Sequence, residues 1–229
     1  MSSAPARGRT CRQDGRRRSR RTRTAEGEGG MGNVTCDVAV SVDGYSSRPD
    51  QTLEHPFGAG VDLHRWMVET ADENAAEIAA IVDAGAFVMG RNMFTPGRGE
   101  WDPDWQGWWG PEPPYHAPVF VLTHHPREPL VLEGGTTFFF VTDGVGSAVA
   151  QAREAAGDRD VAIAGGAATI NQVIAAGLLD ELRLHVVPQV LGHGDRVRDG
   201  VPPLALETVA VRAASQVTHV TYRVRGPLG

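Results

Sequence analysis

The chain has 229 residues, with 22 basic against 28 acidic side chains, a formal net charge of −6 and 41% apolar residues. That length suits one ordinary domain with a tail, and the apolar content is enough for a core. Every cation is arginine, which excludes Schiff-base, P-loop and general-base lysine chemistry.

Residues 1–30 carry nine Arg, three acids and no Leu, Ile, Val, Phe, Trp or Tyr, so this Arg-rich tail is expected to be disordered. Met31 stands directly before a strand-like run and is read as an alternative start, with residues 31–229 as the folded domain. Arg17-Arg18 and Arg20-Arg21 resemble a twin-arginine signal, but the apolar stretch such a signal needs does not follow. No apolar run approaches the roughly 18–20 residues that span a bilayer, so a cytoplasmic location with no membrane partner is expected. The body without its tail is strongly acidic, which argues against a nucleic-acid partner. Cys11 and Cys36 read as unpaired thiols, and no Cys/His spacing suits a metal.

Residues 34–42 are rich in Val and read as a strand, ended by the turn pair Asp43-Gly44. Residues 62–83 read as one helix, with Ile78, Ile81 and Val82 on one face and Gly85 as its stop. Residues 86–89 form a short buried strand that runs into Gly90-Arg91. Residues 95–117, rich in Pro and Gly, read as a long loop. Strands follow at 119–122 and 137–141, then a helix at 147–156. A buried strand at 161–164 closes on Gly165-Gly166. The helix predicted at 169–176 has Ile170, Val173 and Ile174 at helical spacing and Gly177 after its end. A strand at 182–187 precedes two more within 204–213 and 217–224. Short apolar strands alternating with helices predict an α/β domain with a mostly parallel central sheet. The last two strands, with no helix between them, predict an antiparallel edge hairpin.

Open α/β sheets bind ligands beyond the carboxyl ends of their strands. The run from residue 161 to Ile170 takes a buried strand through two glycines into a helix. Glycine lets an anion approach the backbone, and the first turn of a helix offers unpaired N–H groups. Gly165, Gly166, Ala167, Ala168 and Thr169 are therefore candidate binding residues; the alternative is a tight turn with no ligand. Gly90 and Arg91 sit at a second strand end, where an arginine suits a phosphate or stands on the surface. Thr123 ends a third, before His124-His125, which read as loop histidines. Asp43 ends the first strand, where it orients a ligand or simply makes a turn. Trp101, Trp105, Trp108 and Trp109 crowd one loop, either as a lid that stacks on a flat heterocycle or as a cluster that pins the loop or forms a dimer contact.

Together these motifs resemble the dihydrofolate reductase-like superfamily, in the branch similar to the reductase domain of riboflavin biosynthesis. The carriers are Ser41-Val42-Asp43-Gly44, Met89-Gly90-Arg91, Val121-Leu122-Thr123, the Gly165-Gly166 junction, Ala176-Gly177-Leu178-Leu179-Asp180-Glu181-Leu182, and Pro188-Gln189-Val190-Leu191-Gly192-His193-Gly194. The resemblance spans roughly residues 34–225 and implies a three-layer α/β fold. It implies an NADPH-dependent reductase of a pterin- or aminouracil-like heterocycle, similar to 5-amino-6-(5-phosphoribosylamino)uracil reductase, acting as a homodimer on a small-molecule substrate. By that likeness Gly165 to Thr169 cradle the pyrophosphate. Gly90 and Arg91 approach the adenosine-side phosphates, Thr123 lines the groove, and Asp43 sits near nicotinamide and substrate as the catalytic residue. Ile163 ahead of the glycine pair and Met93 after Arg91 depart from that branch's pattern. These departures motivate an alternative, a binding protein without turnover on the same fold. The zinc deaminase motifs of bifunctional riboflavin enzymes are absent from the sequence.

Overall fold

The computed structural model describes residues 30–96 and 99–228. The Arg-rich tail up to residue 29, with the expectation of disorder placed on it, lies outside the described residues.

Eleven strands and five α-helices alternate along the described chain. β1 (Val34–Ser41) and the short β2 (Tyr45–Ser47) lead to α1 (Trp66–Glu69) and α2 (Ala75–Val82). β3 (Ala86–Gly90), α3 (Arg91–Phe94), β4 (Pro118–Leu122), β5 (Leu130–Val131) and β6 (Thr137–Val141) follow. Then come α4 (Val145–Ala156), β7 (Val161–Gly165), α5 (Ala167–Ala175) and β8 (Glu181–Val187). β9 (Asp195–Arg196), β10 (Leu204–Ala213) and β11 (Thr218–Pro227) complete the described chain.

Nine strands form one sheet in the order β10-β11-β8-β1-β7-β3-β4-β6-β5. The six strands from β8 to β6 run parallel, and β10 and β11 form the antiparallel hairpin at one edge. β5 adds an antiparallel edge at the other side, and β2 pairs with β9 in a separate two-stranded ribbon. Both faces of the central strands are covered, as parallel strands require. Alternate residues of β1 divide accordingly. Val34, Cys36 and Val40 join a core under α4 and α5 that holds Ile163, Ile170 and Val173. Ala39 joins Leu63, Trp66 and Val187 on the opposite face, with Ile78 and Ile81 of α2 against them. The third core, Phe87, Met89, Phe94 and Phe138, lies under the tryptophan loop.

The single helix predicted over 62–83 is two helices. Thr70 donates its hydroxyl to Trp66 O (3.0 Å), and Asn74 donates its amide to Thr70 O (2.8 Å). These side chains occupy carbonyls that a continuing helix would use, and Thr70 leaves helical geometry at φ −125°, ψ 36°. Gly85 lies beyond the end of α2, and its small size serves a close approach. A Cβ there would fall 2.8 Å from Ala156 Cβ, where β3 enters beneath the end of α4.

Candidate active site at the carboxyl ends of the parallel strands

Sheet register brings the predicted positions to one rim. Met89 pairs with Gly165, Gly90 with Leu122, and Leu122 with Val141, so β7, β3, β4 and β6 end side by side. β1 lies on the other side of β7 and carries Asp43 just past its end.

At the β7–α5 junction Gly165 has φ +124°, a conformation that favours glycine, and the Gly165–Gly166 peptide is cis. Gly166 is the cap residue of α5, and its carbonyl accepts from Thr169 N (3.0 Å) and Ile170 N (3.1 Å). The N–H groups of Ala167 and Ala168 have no carbonyl of their own helix to bond. Nothing lies within 4 Å of the place a Cβ on Gly166 would take, so the backbone here faces open space. Thr169 turns inward and is buried. A Cβ on Gly90 would collide with its Oγ1, so the ends of β3 and β7 pack this closely only because Gly90 has no side chain. A backbone cradle that opens to solvent at Gly166 and Ala168, with a helix dipole behind it, fits a diphosphate.

Arg91 follows Gly90 but turns away from the cradle. Its guanidinium donates to the carbonyls of Gly99 and Glu100 and lies 4.2 Å from the centre of the Trp101 ring. Thr123 is buried at the end of β4, where its Oγ1 accepts from His125 N (3.1 Å). His125 O in turn accepts from Trp101 Nε1 (2.9 Å). Thr123 thus shapes the turn that holds the loop.

The tryptophan loop takes the pinned arrangement. Trp101, Trp105 and Trp109 pack against the core that contains Phe94, Tyr115 and Phe138. Trp105 Nε1 donates to Phe94 O (2.8 Å). Arg127 clamps the same loop by donating to Trp105 O (3.1 Å) and Pro103 O (3.3 Å). Its guanidinium lies 5.3 Å from the Phe140 ring centre and 5.6 Å from that of Trp101.

Asp43 is a fastening. Its carboxylate accepts from Ser41 Oγ (2.6 Å), Leu191 N (3.1 Å) and Gly192 N (2.7 Å). The Ser41 hydroxyl, with the Gly192 and Leu191 amides, pushes this carboxyl down to about 2. It is ionised at neutral pH and ties the segment after β8 to the end of β1. One residue the sequence did not single out does similar work. Asn171 of α5 donates to Arg196 O (3.0 Å) and accepts from Arg198 N (2.6 Å), fixing the β9 ribbon to the helix. A half-buried Asn in a helix carries no local signal of such a contact.

Among the described residues no group of three or more His, Cys, Asp or Glu is arranged to hold a metal, and no helix is long and apolar enough to cross a membrane.

A parallel sheet flanked by helices, with an antiparallel hairpin at its edge and a Gly-Gly strand-to-helix junction, defines a dihydrofolate reductase-like fold. The RibD C-terminal domain family matches residues 33–220, and the chain belongs to that family. Among solved structures it is similar to a putative riboflavin biosynthesis protein from Shewanella sp. PV-4. That match has 23% identity and a TM-score of 0.56, over 84% of this chain and 99% of the other. It is similar to Acinetobacter baumannii RibD at 17% identity and TM-score 0.56, over 86% of this chain but 59% of RibD. The chain therefore spans under two thirds of that relative. It is also similar to dihydrofolate reductase from Enterococcus faecalis, a complex with NADP(H), at 14% identity and TM-score 0.52, over 85% of this chain and 98% of that one. No curated protein matches.

Proposed function

We propose that the chain is an NADPH-dependent reductase of a small heterocyclic substrate of pterin or aminouracil type. The observation that carries this reading is the β7–α5 junction, where glycine backbone facing open space meets a helix start. Gly165, Gly166, Ala167, Ala168 and Thr169 would hold the cofactor's diphosphate, with Gly90 and Thr123 lining the groove toward its adenosine end. Arg91 reaches that end only by leaving Trp101. The cofactor, when bound, supplies a hydride; the protein's part is to hold the nicotinamide against an electrophilic carbon. Asp43 acts in this reading as a positioning residue that keeps the 188–194 segment over the rim. We further take the protein to be cytoplasmic and homodimeric, with the exposed Val209 and Val211 of edge strand β10 as the surface a partner copy would cover. Sedimentation tests the last point.

A second reading, binding without turnover, draws on the state of Asp43. An ionised carboxylate with three donors on it has no proton to give a substrate. One experiment separates the two. NADPH is titrated into the protein and binding is followed by tryptophan fluorescence; oxidation of bound NADPH is then followed at 340 nm with pterin and aminouracil substrates. Saturable binding with turnover supports the reductase, binding without turnover supports the second reading, and no NADPH binding rejects the reductase.

A further inference from the structure

Among the described residues, Arg196 and Arg198 are an electrostatic exception. Every other described arginine side chain meets a carboxylate, a loop carbonyl or, for Arg48, the His193 ring. Neither Arg196 nor Arg198 has a hydrogen bond or an ion pair from its guanidinium to any described residue. In a chain of net charge −6 acids are plentiful, yet neither of these two cations forms an ion pair with a described carboxylate.

They also converge. Arg196 Nε lies 3.6 Å, and Arg198 Nη2 3.7 Å, from the position a Cβ on Gly44 would take. Two like charges flank one point, left open because residue 44 has no side chain. Their backbone is fixed there. Val197 N donates to Gly44 O (3.1 Å), and Asn171 grips Arg196 O and Arg198 N. Arg198 is held at φ +73°, a left-handed conformation costly for any residue with a Cβ. Arg196 is steadied by the Tyr45 ring, 5.4 Å from its guanidinium carbon. Like charges held together on a fixed backbone without an ion pair of their own, while the neighbouring Asp43 and Asp195 carboxylates accept from other donors, are stabilised by a bound anion.

We propose that Arg196 and Arg198 form a subsite for a phosphate-type dianion on the molecule bound at the strand ends. The planar fork of each guanidinium suits two phosphate oxygens at once. The subsite lies beside the turn after β1, and Asn171 joins it to α5, whose first turn forms the proposed diphosphate cradle. The inference rests on the strand ends being a ligand site, and it adds a second anchoring point there. The group comes either from the cofactor or from a second, phosphorylated ligand.

The test uses the full chain, inorganic phosphate as probe and a low-salt buffer free of other polyvalent anions. Calorimetry measures phosphate affinity for the wild type, Arg196→Ala, Arg198→Ala and the double variant. Both side chains are exposed and free of ion pairs, so unchanged circular dichroism and Tm are expected. Either single variant should bind phosphate about ten-fold more weakly, and the double variant about a hundred-fold. Asn171→Ala, which keeps both charges but frees their backbone, should also weaken binding. NADPH affinity is measured on the same proteins. If it falls in parallel, the group belongs to the cofactor; if it is unchanged, to the second ligand. The subsite is overturned if phosphate does not bind the wild type, or binds the double variant equally well. A wild type that binds NADPH in that case leaves the reductase reading standing. A wild type that binds phosphate through these arginines but no nicotinamide dinucleotide rejects the reductase reading and keeps the subsite.

Discussion

His185 and His219 share one hydrogen bond, Nδ1 to Nδ1 at 2.8 Å, between two buried rings. Its direction follows from the neighbours. Asn74 Oδ1 accepts from Arg212 Nη2 (2.8 Å) and lies 3.0 Å from His219 Nε2. His219 therefore donates through Nε2, and in its neutral form accepts through Nδ1 from His185.

Burial, with the neighbouring His185, pushes His219 down to about 4 from an ordinary 6.5. His64 is lowered to about 4 by the same two causes in the same order. Between pH 6.5 and 4 the unfolded chain then binds more protons than the folded one, so stability is full above this window and falls as the pH falls through it. The loss between pH 7 and 4.5 should be on the order of 2–3 kcal/mol per imidazole. Urea denaturation from pH 7 to 4.5 should show it, and His219→Gln should flatten the profile. Parallel wild-type and variant profiles would contradict the assignment.

Gly90 and Thr169 form a testable pair. Gly90→Ala places a methyl group against Thr169 Oγ1 and should cost about 1–3 kcal/mol through overpacking. Adding Thr169→Ala removes the obstructing oxygen and should recover most of the lost stability. A double-mutant cycle in thermal melts measures the coupling; simple additivity would show that the contact is not the cause.

Gly166→Leu tests the cradle. The site faces open space and its φ of −76° suits any residue. The variant should melt like the wild type yet lose NADPH binding. Retained binding would move the diphosphate elsewhere.

Asp43→Asn keeps the shape but gives up one acceptor atom facing Leu191 and Gly192. Amide hydrogen exchange at these two residues should quicken, while exchange in β7 and β3 stays unchanged. Exchange at wild-type rates would mean that the segment is held by other contacts.

Arg127→Ala removes the clamp on the tryptophan loop. A stability loss of about 2 kcal/mol is expected from its charge-assisted bonds and ring contacts, with a red shift in tryptophan emission as the loop rings meet water. An unshifted spectrum would show that the aromatic packing alone holds the loop.

The parallel strands were legible because each is an apolar run stopped by Gly or a turn pair, and burial on both faces leaves no other pattern. Gly90, Thr123 and Gly165 were legible for the same reason, since a strand end announces itself. β2, β5 and β9 were not, because segments of two or three residues have no period and are defined by their partners. The break between α1 and α2 was hidden because Ile78 and Ile81 continue the helical spacing, while Thr70 and Asn74 act through side-chain bonds that spacing does not register. The contacts of Asp43 were out of reach for a plainer reason. They join residues up to 149 positions apart, and nothing local to the Ser-Val-Asp-Gly turn records them.

β1 sits in the middle of the sheet, and its neighbours there are β7 and β8. The first strand of the sheet to be synthesised is therefore among the last to be paired. Until residue 161 emerges it has no sheet partner, and its second edge stays open until β8 is complete. Closing such long loops before any contact repays them slows folding and leaves sticky edges exposed. Expression of this chain should thus depend on how fast synthesis proceeds past β8, with fragments that stop short of it left as aggregating strands.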